Sequence, residues 1–238
     1  MELWEEELSQ YRERLERLKN WEPGVSELVG KLPHIPLDYS PSPEGIAAVQ
    51  LSSFVVSGCL APTGHTIAAF NIMWSTGLLT MISLPVRLTF EIWASAHYAS
   101  HIIDDMEKTG DVERALKNAQ RLLMGARSEV QLPWGGLTQE RSVHIMDLIR
   151  DLRSGYPTAL ETYDFLCESC HPSHLMLTYW WLAGPPLQNW KNEKFRLHVH
   201  SLIRKTLDAM EQSIEGISFE ARNVLQRAMP FIEKDQIA

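Results

Sequence analysis

Apolar side chains at Trp4, Leu8, Tyr11, Leu15 and Leu18 follow one another in steps of four and three, with Glu and Arg between them. That spacing puts all five on one side of an α-helix, so an amphipathic helix with a single seam is predicted over residues 2–20. It stops before Glu22, Pro23 and Gly24. Prolines at 33, 36, 41 and 43 follow, and because proline lacks the N–H a helix needs, this stretch reads as a surface-hugging connector. Three segments result: an N-terminal amphipathic helix over 1–22, a Pro-rich connector over 23–44, and one helical domain over 45–238.

From Gly45 to Val86 the chain runs 42 residues without Asp, Glu, Lys or Arg. Gly58, Pro62, Gly64, His65, Asn71 and Gly77 interrupt it, so no unbroken apolar span of the roughly 20 residues needed to cross a bilayer is expected. A buried central helix pair is expected instead, and no membrane partner. Ser83 and Pro85 read as a helix start, with the helix running to about Lys108 and a break at Thr109, Gly110 and Asp111. Further helices are predicted from there through Ser128, over about 138–152, 158–170, 191–215 and 218–234, with breaks at 154–157, at His171 and Pro172, and at 184–186. No window alternates in the manner of a strand. The fold class is therefore all-α, an antiparallel bundle of at least six helices with an N-terminal amphipathic arm.

Composition narrows the function classes. A net charge of −8 and a pI near 5.6 repel phosphate backbones, which disfavours nucleic-acid binding through the global field. One local exception exists: Lys191, Lys194, Arg196, Arg204 and Lys205 face only Glu193 across residues 191–207, and RNA is a partner that such a patch suits. The first residues are acidic where a secretory signal is basic and then apolar. Three cysteines, Cys59, Cys167 and Cys170, are too few for a disulfide framework,. A cytoplasmic location is expected. No phosphate-binding glycine loop, nucleophile elbow or dinucleotide fingerprint is present.

The helix beginning near Leu84 carries a polar stripe. At 100° per residue, Arg87, Glu91, Ala94, Tyr98, His101 and Asp105 fall within about 40° of one line. Leu88, Phe90, Ile92, Trp93, Ile102 and Ile103 occupy the other faces, so the stripe is a candidate site on a mostly enclosed helix. Enclosed charges pair, and Arg87 with Glu91 at i, i+4 is an available pair. His97 and His101, with Asp104 or Asp105, offer ligands at the spacing by which one helix holds a metal. No resident cofactor is required by this pattern; the alternative is a divalent metal ion such as zinc on His97, His101 and Asp105. Cys167, Cys170 and His171 spell the covalent haem attachment pattern, but on a helix end in a chain without an export signal. With His174 they also make a Cys2His2 set for zinc, too crowded to converge tetrahedrally.

Two stretches, Val86 to Glu91 and Tyr163 to Pro172, resemble uncharacterised bacterial and phage helical proteins related to the HEPN superfamily. Members show an Arg-x-x-x-Glu helix and a later helix reading Tyr-x-x-Leu that closes on His-Pro, matched here by Arg87, Glu91, Tyr163, Leu166, His171 and Pro172. The likeness covers residues 65–182. It implies a helical domain, a defence or toxin-related role acting on RNA, and a catalytic set of Arg87, Glu91, Tyr163 and His171. The ribonucleases of that superfamily place a His four to six residues after an Arg, a spacing this chain lacks, so the resemblance implies fold more than activity. His171 suits acid or base work near neutral pH and Arg87 suits an anion. Two alternatives accompany this reading: a helical metal- or small-anion-binding protein, and a non-enzymatic assembly or partner-binding subunit.

The seam over residues 2–20 needs cover, because an isolated helix of that length is marginal in water. It folds back on its own domain or pairs with a second chain. The resemblance to a superfamily whose domains commonly pair implies a homodimer, with a partner protein at the same helix as the other form of that expectation.

Overall fold

The computed structural model describes residues 2–19, 42–76, 81–124, 141–170 and 193–237. Within them the chain is all-α, a helical bundle of at least six helices, and no β-strand forms among the described residues. The helices are α1 (Glu2–Lys19), α2 (Pro43–Ser53), a π-helix (Phe54–Leu60), α3 (Ala61–Ser75), α4 (Ser83–Thr109), α5 (Val112–Met124), α6 (Ile145–Leu152), α7 (Ala159–Cys170) and α8 (Glu193–Ile237). The connector over 23–41 and the loop at 131–137 lie outside the described residues.

Two compact units share these helices. The first gathers Met1–Glu22, Thr63–Phe90 and Thr158–Ile214; the second gathers Pro23–Pro62, Glu91–Pro157 and Glu215–Ala238. In the first, the predicted seam of α1 is buried at Tyr11, Leu15 and Leu18. The Tyr11 hydroxyl lies 2.7 Å from Nε2 of His200, its ring meets Trp74 edge-on, and the Arg14 guanidinium donates to Glu211 and Asp208. These contacts tie α1 to the first part of α8 within its own chain. Thr89 donates to Thr66 at 2.7 Å, and Thr66 sits in contact with the Thr63 carbonyl, so a hydroxyl chain joins α3 to the start of α4.

In the second unit, α2 packs on α5 and on the π-helix. Ala47, Ala48, Leu51, Val55 and Cys59 are fully buried there, and burial raises the pKa of the Cys59 thiol. The short α6 has eight residues, too few to persist alone. Leu148, Ile149 and Leu152 are buried along it, each stabilising the packed helix by about 1.5–3 kcal/mol relative to exposure. Its start is fixed by His144, whose side chain accepts from the Met146 N–H. That cap places the start at Ile145, several residues later than the expected 138.

Three sequence expectations are corrected. The apolar region does not break at Gly58, Pro62 or Gly64: helix runs without interruption from Pro43 to Ser75. Pro62 is accommodated because a π-helical stretch precedes it, where the Ala61 N–H already bonds back five residues to the Val56 carbonyl,. By length and composition this 33-residue helix is long and apolar enough to cross a membrane, and 44% of its most apolar window is buried in the protein. The two helices expected over 191–215 and 218–234 are one, Glu193–Ile237. Gly216 does not end it; a Cβ there would lie 2.1 Å from Cε2 of Trp93, so this glycine serves close approach of an indole,. The break after α4 is as expected, with Gly110 at φ 67° and its N–H on the Met106 carbonyl,.

Candidate metal centre

His97 and His101 stand one turn apart on α4, within the second unit, and their ring centroids are 4.2 Å apart. Trp93, Ile102, Ile103 and Met106 bury the rest of this part of α4. The helix is thereby held in register, and the two imidazoles are left on its remaining side. The carboxylate that joins them comes from the last turn of α6: Oδ2 of Asp151 lies 3.0 Å from Nδ1 of His101. Oδ2 is almost without solvent exposure. Contact with Asp151 raises the His101 pKa above its usual value, against burial, which lowers it,.

His97 is more enclosed, with 7% of its surface exposed, and so is Glu220 of α8, also at 7%. Nδ1 of His97 and Oε1 of Glu220 are 2.6 Å apart, and Nε2 of the same ring is 3.2 Å from the Ser154 hydroxyl. Ser154 belongs to the turn that ends α6, where the Ser154, Gly155 and Tyr156 N–H groups bond back to the Asp151 and Leu152 carbonyls. Tyr156 fastens that turn by packing on Trp93, with ring centroids 5.1 Å apart. A Cβ at Gly155 would lie 3.4 Å from Cε1 of His97, so a larger side chain would press on the ring.

One nitrogen from each histidine and one oxygen from Asp151 all lie within 4.8 Å of one another. Two imidazoles and a carboxylate make a donor set for zinc or another first-row divalent ion, with positions left for water or a ligand. Glu220 holds the second nitrogen of His97, the arrangement by which an outer carboxylate fixes the tautomer and orientation of a ligating imidazole. The residues present fit such an ion.

Of the residues expected from sequence to hold a metal, the structure brings His97 and His101 together, with Asp151 beside them. Asp105 is exposed and pairs with Arg114 at 3.7 Å, while Asp104 pairs with Arg227; Asp151, 50 residues along the chain from His101, takes the expected place of Asp105. Asp151, Ser154 and Glu220 were not singled out from sequence. Glu220 carried a signal: Ile217, Ala221, Val224 and Ala228 mark a buried stripe on α8, and an acid on that stripe needs a buried partner.

Of the catalytic set that the resemblance implies, Arg87 and Tyr163 meet in the first unit. Nη2 of Arg87 donates to the Tyr163 hydroxyl at 3.3 Å, and the guanidinium carbon lies 5.5 Å from the ring centroid,. Tyr163 is buried and stacks on Phe90. Glu91 falls in the second unit, where its carbonyl accepts from Ser95. His171 and His174 lie outside the described residues, and with them the Cys2His2 and haem readings. In the basic stretch, Lys205 lies 5.2 Å from the centre of the Phe165 ring, and His200 is engaged by Tyr11. Comparison with protein-family models, curated proteins and solved structures finds no match for this chain.

Proposed function

We propose that this chain is a metal-binding helical protein in which His97, His101 and Asp151 hold one divalent transition-metal ion, zinc being the ion best suited to the donor set. The observation that carries the reading is the convergence of three ligand atoms within 4.8 Å of one another from two separate helices, with a buried carboxylate already holding His97. An ion there supplies Lewis acidity and a bound water of lowered pKa. His97 stays oriented by Glu220 through Nδ1, and the Ser154 hydroxyl, 3.2 Å from Nε2, stands where an ion on that nitrogen would displace or neighbour it. The test is equilibrium titration of zinc into chelator-stripped protein. One equivalent is expected to bind, with His97→Ala, His101→Ala and Asp151→Ala each weakening it strongly.

A second reading, an RNA-directed activity centred on Arg87, is favoured by the Arg87 contact with Tyr163, since the resemblance implies those two residues in one site. Loss of RNA binding or cleavage in Arg87→Ala tests it. The homodimer proposal rests on the resemblance and on the aromatic, acidic α1. The burial of Tyr11, Leu15 and Leu18 within the chain supports its alternative, an intramolecular strap, and sedimentation equilibrium distinguishes the two.

A further inference from the structure

Ser154 stands in the exposed turn after α6, one residue before Gly155. Its hydroxyl lies 3.2 Å from Nε2 of His97, and Nδ1 of the same ring lies 2.6 Å from Oε1 of Glu220. All three residues belong to the second unit. A hydroxyl on an exposed residue, an imidazole buried behind it and a buried carboxylate behind that form one hydrogen-bonded line. The metal-binding reading uses the imidazole and gives the hydroxyl no part.

The line has a direction. An ionised carboxylate only accepts, so Nδ1 carries the proton that it shares with Glu220. A neutral ring in that tautomer has its lone pair on Nε2, and the Ser154 hydroxyl donates to it. This is the polarity by which a base draws the proton from an attacking hydroxyl while a carboxylate on the far side holds the tautomer. Gly155 keeps room beside the ring: a Cβ there would lie 3.4 Å from Cε1 and 4.0 Å from Nε2 of His97.

We propose that in the metal-free chain Ser154 is an acyl-accepting nucleophile, His97 its general base and Glu220 the residue that positions His97. An ion on Nε2 takes up the lone pair that the serine proton needs. The two uses of His97 therefore exclude each other, and this one does not depend on the metal-binding reading. The turn selects the substrate class. The N–H groups of Ser154, Gly155 and Tyr156 are bonded to the Asp151 and Leu152 carbonyls, so they give a developing oxyanion no donor. The acyl donor must then carry a leaving group that departs with little help, which means an ester of a phenol or of another weakly basic alcohol rather than an amide. In the first step the Ser154 oxygen bonds to the ester carbonyl carbon as its proton passes to Nε2. The bond from that carbon to the leaving oxygen breaks, and the leaving group departs with the proton. Water then attacks the acyl-serine by the same route, which releases the acid and restores the hydroxyl.

The test uses the full chain with a chelator present and p-nitrophenyl acetate as the probe. A burst of about one equivalent of nitrophenol is expected, with slow turnover after it, and the acetyl group is expected on Ser154 by peptide mass spectrometry. Acylation there should be at least about a hundredfold faster than at the exposed Ser53 and Ser57, the scale of general-base assistance. Ser154→Ala is expected to lose the burst. Glu220→Gln is expected to slow it by about tenfold or more with an unchanged circular dichroism spectrum, a change in rate that a purely structural role would not give. If that variant loses helix, the comparison of Ser154 with Ser53 and Ser57 in the parent decides. Acylation of Ser154 no faster than of those two serines overturns the proposal. A burst that survives Ser154→Ala overturns it as well, and so does an unchanged rate in a folded Glu220→Gln.

Discussion

Nδ1 of His97 and Oε1 of Glu220 sit 2.6 Å apart although 123 residues separate them. Both side chains are nearly closed off from water. Removing the carboxylate therefore strands a buried ring nitrogen, a loss of about 1–3 kcal/mol. Glu220→Ala is expected to lower the urea midpoint accordingly. Glu220→Gln keeps a hydrogen-bonding atom in place and is expected to recover much of that stability while still weakening metal affinity by roughly 10–100-fold. Paired urea titrations and metal titrations on the two variants check this.

Gly216→Ala sets two effects against each other. In a helix interior, alanine is favoured over glycine by about 1 kcal/mol. Against that, the new Cβ would fall 2.1 Å from Cε2 and 2.2 Å from Nε1 of Trp93, an indole that is itself packed on Tyr156. Overpacking a close-packed site costs about 1–3 kcal/mol, and a rigid ring at this distance places the cost at the upper end. The variant is expected to be less stable than the parent, read as a lower urea midpoint with an unchanged slope.

The pattern of apolar and polar positions was sufficient to predict the α-helical class, the α1 seam from Tyr11 to Leu18, both ends of α4 and the extent of α7, because each rests on local periodicity and on prolines or glycines acting within a few residues. It failed where a local signal was overruled at a distance. Gly216 looks like a helix break and is a seat for Trp93, a fact visible only once α4 and α8 touch. Pro62 looks like a stop and follows a π-helical stretch that accommodates it. In the centre, His97 and His101 were legible because i, i+4 is a property of one helix. Asp151 was not, because nothing in residues 97–105 states which carboxylate a separate helix will bring; Asp104 and Asp105 were merely the nearest in sequence. Glu220 was legible in principle, as an acid on an otherwise apolar stripe.

The metal-free chain should depend on pH through His101. Its folded-state pKa is raised above the usual value for an imidazole, chiefly by Asp151, so the imidazolium form is favoured in the folded state. The resulting stability is fully present below the unfolded pKa and is lost as pH rises through the folded one. Stripped protein is therefore expected to lose a small part of its stability as pH climbs from about 6.5, small because more than a third of the His101 side chain is exposed,. Asp151→Asn removes the cause, and its thermal midpoint is expected to be flatter over the same window. A parent chain whose midpoint rises through that window contradicts the assignment.

The central claim is that three side chains from two helices make one metal site, and the most direct measurement is metal content and affinity of the whole chain after stripping and reloading. One tightly held zinc or cobalt per chain is predicted, with a cobalt spectrum of low-coordinate nitrogen and oxygen ligation. His97→Ala, His101→Ala and Asp151→Ala should each abolish tight binding, and Asp105→Ala should leave it intact. A stripped chain that takes up no stoichiometric metal, or one that binds it equally well without Asp151, contradicts the account.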